Sequence, residues 1–194
     1  ESALSQFNRL PVDKEVGASQ ELWTVLQTSR QIWQKSAGAF DPSVGPLVDL
    51  WGFGPQMTND QIPTDNEITQ ALATTGYQHL ILNPANQSIS KDLALRLDLS
   101  AVAKGYAVDL VADLLEMLAL PDYLVEVGGE MRLGGSNTQG KPWRIAVEQP
   151  SVIPQVQRII ELGDVAMATS GDYRNYFKVD GVRYSHTIDP RTGR

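Results

Sequence analysis

The chain has 194 residues, 42% hydrophobic and 20% charged, a globular balance with enough length for one substantial core. Its formal net charge is −7 and its Lys and Arg are scattered singly, which argues against a protein that grips nucleic acid by neutralising phosphates. The absence of cysteine excludes disulfides and thiolate metal ligands but fits a cytosolic and a periplasmic location equally. No apolar run reaches the roughly 18 to 20 residues that cross a bilayer, and Glu1 opens no signal peptide, so the chain as given reads as soluble.

In chain order, Leu22, Val25, Leu26, Ile32 and Trp33 fall near helical spacing, with Ser19 as cap and Gly38 as stop. After Trp51-Gly52-Phe53-Gly54-Pro55 a polar loop is expected, and then Thr64-Asp65-Asn66-Glu67 has the form of a capping box opening a short helix that ends near Gly76. From Tyr77 the texture becomes β-like: His79 to Leu82 and Ser88 to Ser90 flank the Asn83-Pro84-Ala85-Asn86 turn, and Leu93 to Leu99 reads as a further strand. A second helix begins around Ala101, carrying Leu110, Val111, Leu114, Leu115 and Leu118. Strands are predicted at Tyr123 to Val127, Trp143 to Glu148, Arg158 to Leu162 and Val165 to Thr169, and Asp180-Gly181 marks a two-residue hairpin turn. Hairpins interleaved with a few helices predict an α+β fold, a mixed and largely antiparallel sheet flanked by helices. Residues 1–76 read as a mainly helical lobe and 77–194 as mainly sheet with one long helix, all within one domain.

The sequence lacks a P-loop, a Gly-x-Gly-x-x-Gly turn, a nucleophile elbow and a His-x-x-x-His pair, so the usual nucleotide, hydrolase and zinc modules are excluded. What stands out are Gly, Asp, Ser and Thr clusters at the ends of predicted strands. Asp98 closes one strand and leads through Ser100 into a helix carrying Lys104 and Gly105, a setting that suits a phosphate-bearing ligand or, equally, a capped helix with a solvated lysine. Thr169-Ser170-Gly171-Asp172-Tyr173 can form a ligand-contacting turn or an ordinary one. His186, among hydroxyls and a carboxylate, can act as a general base or serve structure alone, while His79 sits in a plain β-run and takes the structural role. Gly128-Gly129-Glu130 either lets backbone approach a substrate or turns the chain. Trp33, Trp51 and Trp143 read as packing groups rather than ligand-stacking ones.

Taken in order, Ser5-Gln6-Phe7-Asn8, Gly38-Ala39-Phe40-Asp41-Pro42 with Gly45-Pro46-Leu47 and Trp51-Gly52-Phe53-Gly54, LDLSAVAKGYAVD, VEVGGEMRLGG, ATSGDYRNYF and HTIDPRTG resemble the FAD:protein FMN transferase family, the ApbE type once described as thiamine-biosynthesis lipoproteins. The resemblance spans nearly the whole chain. It implies FAD as substrate, a Mg²⁺ ion, and transfer of FMN to a Thr or Ser hydroxyl of a partner protein, such as a subunit of an electron-transfer complex, with release of AMP. It places flavin-binding positions on Ala39, Phe40, Asp41, Asp98, Lys104 and Ile188, with the Thr169, Ser170 and Gly171 turn beside them. It assigns a magnesium-binding backbone carbonyl to Ala101, and activation of the acceptor hydroxyl to His186. Lys104 either neutralises phosphate charge or places the dinucleotide through a hydrogen bond.

The same resemblance implies a periplasmic or cell-envelope setting and membrane attachment only through an anchor outside these residues. Family members carry further segments before the part matching Ser5-Gln6-Phe7-Asn8, and after the part matching Gly193 a helix with side-chain magnesium ligands. A lone Ala101 carbonyl is a poor site for an ion that prefers about six oxygens, so these 194 residues are expected to hold Mg²⁺ weakly and transfer little FMN. An FAD-binding module without turnover, or a Mg²⁺-dependent FAD pyrophosphatase, is the alternative.

Overall fold

The structure is a computed structural model that describes residues 2–54, 61–151, 155–172 and 174–194. Pro55, most of the polar loop expected after it and Tyr173 lie outside the described residues. The elements are α1 (Ala3–Arg9), β1 (Val16–Gly17), α2 (Gln20–Lys35), α3 (Gly45–Leu50), α4 (Asp65–Leu72), a 3-10 turn (Tyr77–His79), β2 (Leu80–Asn83), β3 (Ser88–Lys91), α5 (Ser100–Met117), β4 (Tyr123–Val127), β5 (Glu130–Gly134), β6 (Trp143–Glu148), β7 (Val156–Leu162), β8 (Val165–Met167), β9 (Tyr176–Val179) and β10 (Val182–Ser185). The strands named here pair antiparallel throughout, as expected for the α+β class. The chain forms two compact units, one of residues up to Leu99 together with Asn175–Arg194, the other of Ser100–Arg174.

In the first unit, local sequence chemistry sets the helix ends. The Ser19 hydroxyl accepts from the Leu22 amide and caps α2. At its other end Gly38 N–H reaches Trp33 O and Ala37 N–H reaches Gln34 O, the paired bonds of a Schellman ending in which Ala37 at φ 51° and Gly38 at φ 79° are both left-handed. Thr64 and Glu67 complete the capping box reciprocally, and α4 stops at Leu72 rather than near Gly76. The sheet order is β1-β3-β2, and β9 and β10 form a separate hairpin whose Asp180-Gly181 turn has both φ positive. Trp51, Ile68 and Phe177 form a buried cluster with Leu50, Phe53, Tyr184 and Ile188 packed on it.

The Leu93 to Leu99 strand does not form. Apart from one parallel bridge between Arg96 and Val44, the segment runs outside any sheet. Several of its main-chain groups are met by side chains instead. The Asn8 carboxamide donates to Leu97 O at 2.9 Å and accepts from Leu97 N–H at 2.8 Å, while the buried Lys91 ammonium donates to Leu95 O at 3.1 Å and to Asn8 O at 3.0 Å. Alternating apolar residues therefore signal burial here without a ladder. His79 likewise falls in the 3-10 turn rather than the strand, pairing with Asp92 at 2.7 Å.

In the second unit, β4, β5 and β8 form one antiparallel sheet and β6 and β7 another pair. The β5 strand, unforeseen in the sequence, is joined to β4 by Gly128 and Gly129, both at positive φ. On α5, Asp109, Asp113 and Glu116 recur at helical spacing and all face Arg132 of β5, at 3.5, 2.8 and 2.9 Å. Leu110, Val111, Leu114 and Leu118, part of the apolar stripe read from the sequence, are exposed. The β8 strand closes at Met167, short of Thr169.

Candidate functional site

In the first unit, Asp98 follows directly on the Leu97 that Asn8 clamps, and its own N–H donates to Pro42 O at 2.7 Å. The neighbouring Asp49 carboxyl is pushed above the ordinary range, first by burial, with the Arg96 guanidinium opposing and the Asp98 charge adding to the rise. Asp98 thus belongs to a charged group with Asp49 and Arg96, whose guanidinium also donates to Gly45 O at 2.7 Å.

Asp41 is knotted into the fold. Its Oδ1 accepts from the Ser43 N–H at 2.8 Å and hydroxyl at 2.6 Å, and its Oδ2 from Tyr77 N–H at 3.0 Å. The wholly buried Ser43 hydroxyl accepts in turn from Gly76 N–H at 2.6 Å. Tyr77 is anchored further by its hydroxyl on Leu26 O, and burial drives that phenol's pKa upward. The amides of Ala39 and Phe40 turn back to Ser36 O and Oγ, at 3.1 and 3.0 Å, so this loop is held at the end of α2.

His186 follows β10. Its Nδ1 lies 3.2 Å from Asn175 O, which also accepts from the His186 main-chain N–H at 3.2 Å. A carbonyl only accepts, so the contact selects the tautomer with its proton on Nδ1, the one whose other ring nitrogen, Nε2, is the acceptor. The ring meets Phe53 edge-on, with centroids 6.3 Å apart, and Phe53 stacks on Phe177, Phe177 on Tyr184 and Tyr184 on Trp51, at 5.5, 5.4 and 5.5 Å. Ile188 packs half-buried on the same cluster. Asp189 binds Arg191 through both carboxylate oxygens, which holds its pKa down to about 2.

In the second unit three of the singled-out segments converge on one turn. Lys104 Nζ lies 3.1 Å from Gly128 O and 2.7 Å from Glu130 Oε2. The Thr169 hydroxyl donates to Gly129 O at 3.1 Å, and Gly129 N–H donates to Glu126 Oε1 at 2.6 Å. Ser170 and Gly171 follow in exposed, non-regular chain, and Ala101 lies exposed in the first turn of α5. Among the described residues, no three His, Asp or Glu side chains are grouped to hold a metal ion.

Several groups in these arrangements escaped the sequence reading: Asn8 and Lys91 beneath the Asp98 segment, Ser43 in the Asp41 knot, Phe53 against His186, and Glu130 against Lys104. Asn8, Phe53 and Glu130 lie inside motifs that stood out as text, but their partners lie 26 or more positions away in sequence, so motif membership was the only available signal.

Comparison with known proteins gives the same family over all of these segments. The ApbE family model matches residues 1–194. A Vibrio cholerae protein described as FAD:protein FMN transferase is 50% identical over 196 residues, covering 100% of this chain and 58% of its own length, and the Escherichia coli K12 protein of the same description is 43% identical, with 100% and 56% covered. Among solved structures, the flavin transferase ApbE from Vibrio cholerae superposes with a TM-score of 0.88 at 49% identity, over 98% of this chain and 60% of that one. The ApbE protein from Thermotoga maritima gives 0.89 at 35% identity, over 99% and 62%. The chain thus spans just under three fifths of the curated relatives named here, and across that whole span, from the Asn8 clamp to the His186 hairpin, it belongs to the ApbE family.

Proposed function

We propose that this chain is part of an enzyme that moves FMN from FAD to a Thr or Ser hydroxyl of an acceptor protein. The acceptor oxygen attacks the flavin-side phosphorus of the pyrophosphate, a P–O phosphoester bond forms, the bond to the bridging oxygen breaks, and AMP leaves. The observation that carries the reading is the Nδ1 contact of His186 with Asn175 O, which leaves Nε2 as a proton acceptor for the attacking hydroxyl. Family membership and the names of the relatives support the substrate. Asp41, Asp98 and Ile188, with the Ala39-Phe40 loop, and Lys104 with the Thr169-Ser170-Gly171 segment, are the groups we assign to the dinucleotide.

Mg²⁺ is part of the proposal as a neutraliser of phosphate charge. The described residues do not by themselves fit an ion that prefers about six oxygens, since the resemblance offers only the Ala101 carbonyl and no acidic or histidine cluster joins it. An acceptor in an electron-transfer complex and a periplasmic or cell-envelope setting belong to the same proposal.

The test is to incubate the chain, and a form extended to the length of its relatives, with FAD, Mg²⁺ and a threonine-bearing acceptor domain, following flavin fluorescence on a denaturing gel. Labelling is expected from the extended form and lost in His186→Ala with FAD binding kept. Free FMN in place of labelled acceptor would mark an FAD pyrophosphatase instead. Loss of FAD binding in His186→Ala would assign the histidine to ligand contact rather than proton transfer.

A further inference from the structure

We infer that Glu130 is a positioning residue for the flavin dinucleotide, acting through Lys104; the inference rests on the flavin reading of Lys104 given above. Lys104 reaches out from the second turn of α5 and Glu130 opens β5, and the Gly128-Gly129 turn brings the two together at 2.7 Å. The Glu130 side chain is 18% exposed and that of Lys104 42%, so the carboxylate is the inner partner and the ammonium the outer one. The Glu130 oxygen facing Lys104 is buried and has no hydrogen-bond partner among the described groups, so the ion pair is what meets its charge. A half-buried carboxylate whose inner oxygen meets a single cation keeps that cation in place, because separating the pair leaves the oxygen's charge uncompensated.

Two consequences follow for Lys104. The hydrogen bond to Gly128 O occupies one of its three N–H donors and the ion pair with Glu130 holds the ammonium in place, so the remaining donors have a fixed origin and a restricted direction. Its charge is already balanced, so it offers a phosphate a placed hydrogen bond rather than a free positive charge. This decides between the two roles the sequence left open for Lys104, in favour of placement. The turn beneath is itself pinned by Glu126 and Thr169, so the lysine rests on a rigid floor.

The experiment is a double-mutant cycle with Glu130→Gln and Lys104→Met, read by FAD affinity and by the rate at which an amine-reactive reagent modifies Lys104, followed by mass spectrometry. Glu130→Gln should raise Lys104 modification several-fold and weaken FAD binding by about five- to tenfold, as expected for loosening one charge-assisted contact, but change affinity less than about twofold in the Lys104→Met background. Gly128→Ala provides a second route that removes no charge, since its Cβ would lie 3.0 Å from Lys104 Cδ and push the lysine stem aside. It should lower FAD affinity in the same way, again only when Lys104 is present. Unchanged Lys104 modification, or an equal affinity loss in both backgrounds, overturns the inference. If modification rises but Lys104→Met itself leaves FAD affinity untouched, the hold of Glu130 on Lys104 stands, while the flavin role of Lys104, and with it that of Glu130, is overturned.

Discussion

Trp51 Nε1 donates to the Gly193 carbonyl at 2.7 Å, a buried bond between residues 142 positions apart. It closes the loop after His186 onto the core cluster of the first unit. Within the loop Gly193 N–H and Thr192 N–H both donate to Asp189 O, at 2.8 and 3.2 Å, and Arg194 pairs with Asp65 of α4.

Gly193 sits at φ 73°, where a Cβ would lie 2.6 Å from Ile68 Cγ2 and 3.1 Å from Leu47 Cδ2. Gly193→Ala is expected to cost about 2–4 kcal/mol, combining a left-handed alanine with overpacking of a full core. Urea unfolding of the variant beside the parent measures it, and a loss below about 0.5 kcal/mol would contradict the packing described.

Asn8→Ala removes both bonds to Leu97, whose own residue is 3% exposed, and leaves a buried N–H and C=O unpaired. We expect a loss of about 2–3 kcal/mol in stability, together with weaker FAD binding because Asp98 loses its anchor. Asn8→Asp keeps an acceptor for Leu97 N–H and should fall between the two. Denaturant unfolding and FAD titration of the three proteins give the ranking, and an Asn8→Asp protein as stable as the parent would rule out the donor half of the clamp.

The Asp189 carboxyl is held down to about 2, first by the hydrogen bonds from the Arg191 side chain and then by the Arg191 main-chain N–H. A lowered carboxylate pKa contributes stability that is complete above its unfolded value near 3.9 and is lost as the pH falls through about 2. The loop after His186 should therefore keep its closure at pH 4 and open only in stronger acid. Carboxyl NMR titration should give Asp189 a midpoint near 2 in the parent, moving toward the ordinary range in Arg191→Gln. A parent midpoint near 4 would sink this account.

Features that depend on residues three or four apart were legible in the sequence: the Ser19 cap, the Thr64 and Glu67 box, and the Asp180-Gly181 turn all form where read. The Leu93 to Leu99 run was misread because its partners, Asn8 and Lys91, are side chains rather than a neighbouring strand. The β5 strand hid because Glu130 to Gly134 contains no β-branched or aromatic residue, so only the paired glycines before it hinted at a hairpin. Glu130 and Phe53 were visible as motif letters, yet what they do depends on whom they meet across the fold. Family resemblance named Lys104 and His186, and geometry added the groups that orient them.

The division of the chain also sets an order of folding. Ser100–Arg174 is one continuous stretch, so the second unit can form as soon as its own residues are available. The first unit is interrupted by that stretch, and its Trp51 cluster lacks Phe177, Tyr184 and the Gly193 carbonyl until Asn175–Arg194 are made. A ribosome makes chains from the N-terminus at about 5–20 residues per second, so Trp51 emerges many seconds before its partners. In that interval the helices of the first unit hold an open apolar surface, and the hairpin that carries His186 is the piece that seals it. The same event that brings Phe177 and Tyr184 onto Trp51 also sets His186 against Phe53, so the packing of that cluster and the placing of the histidine are one step.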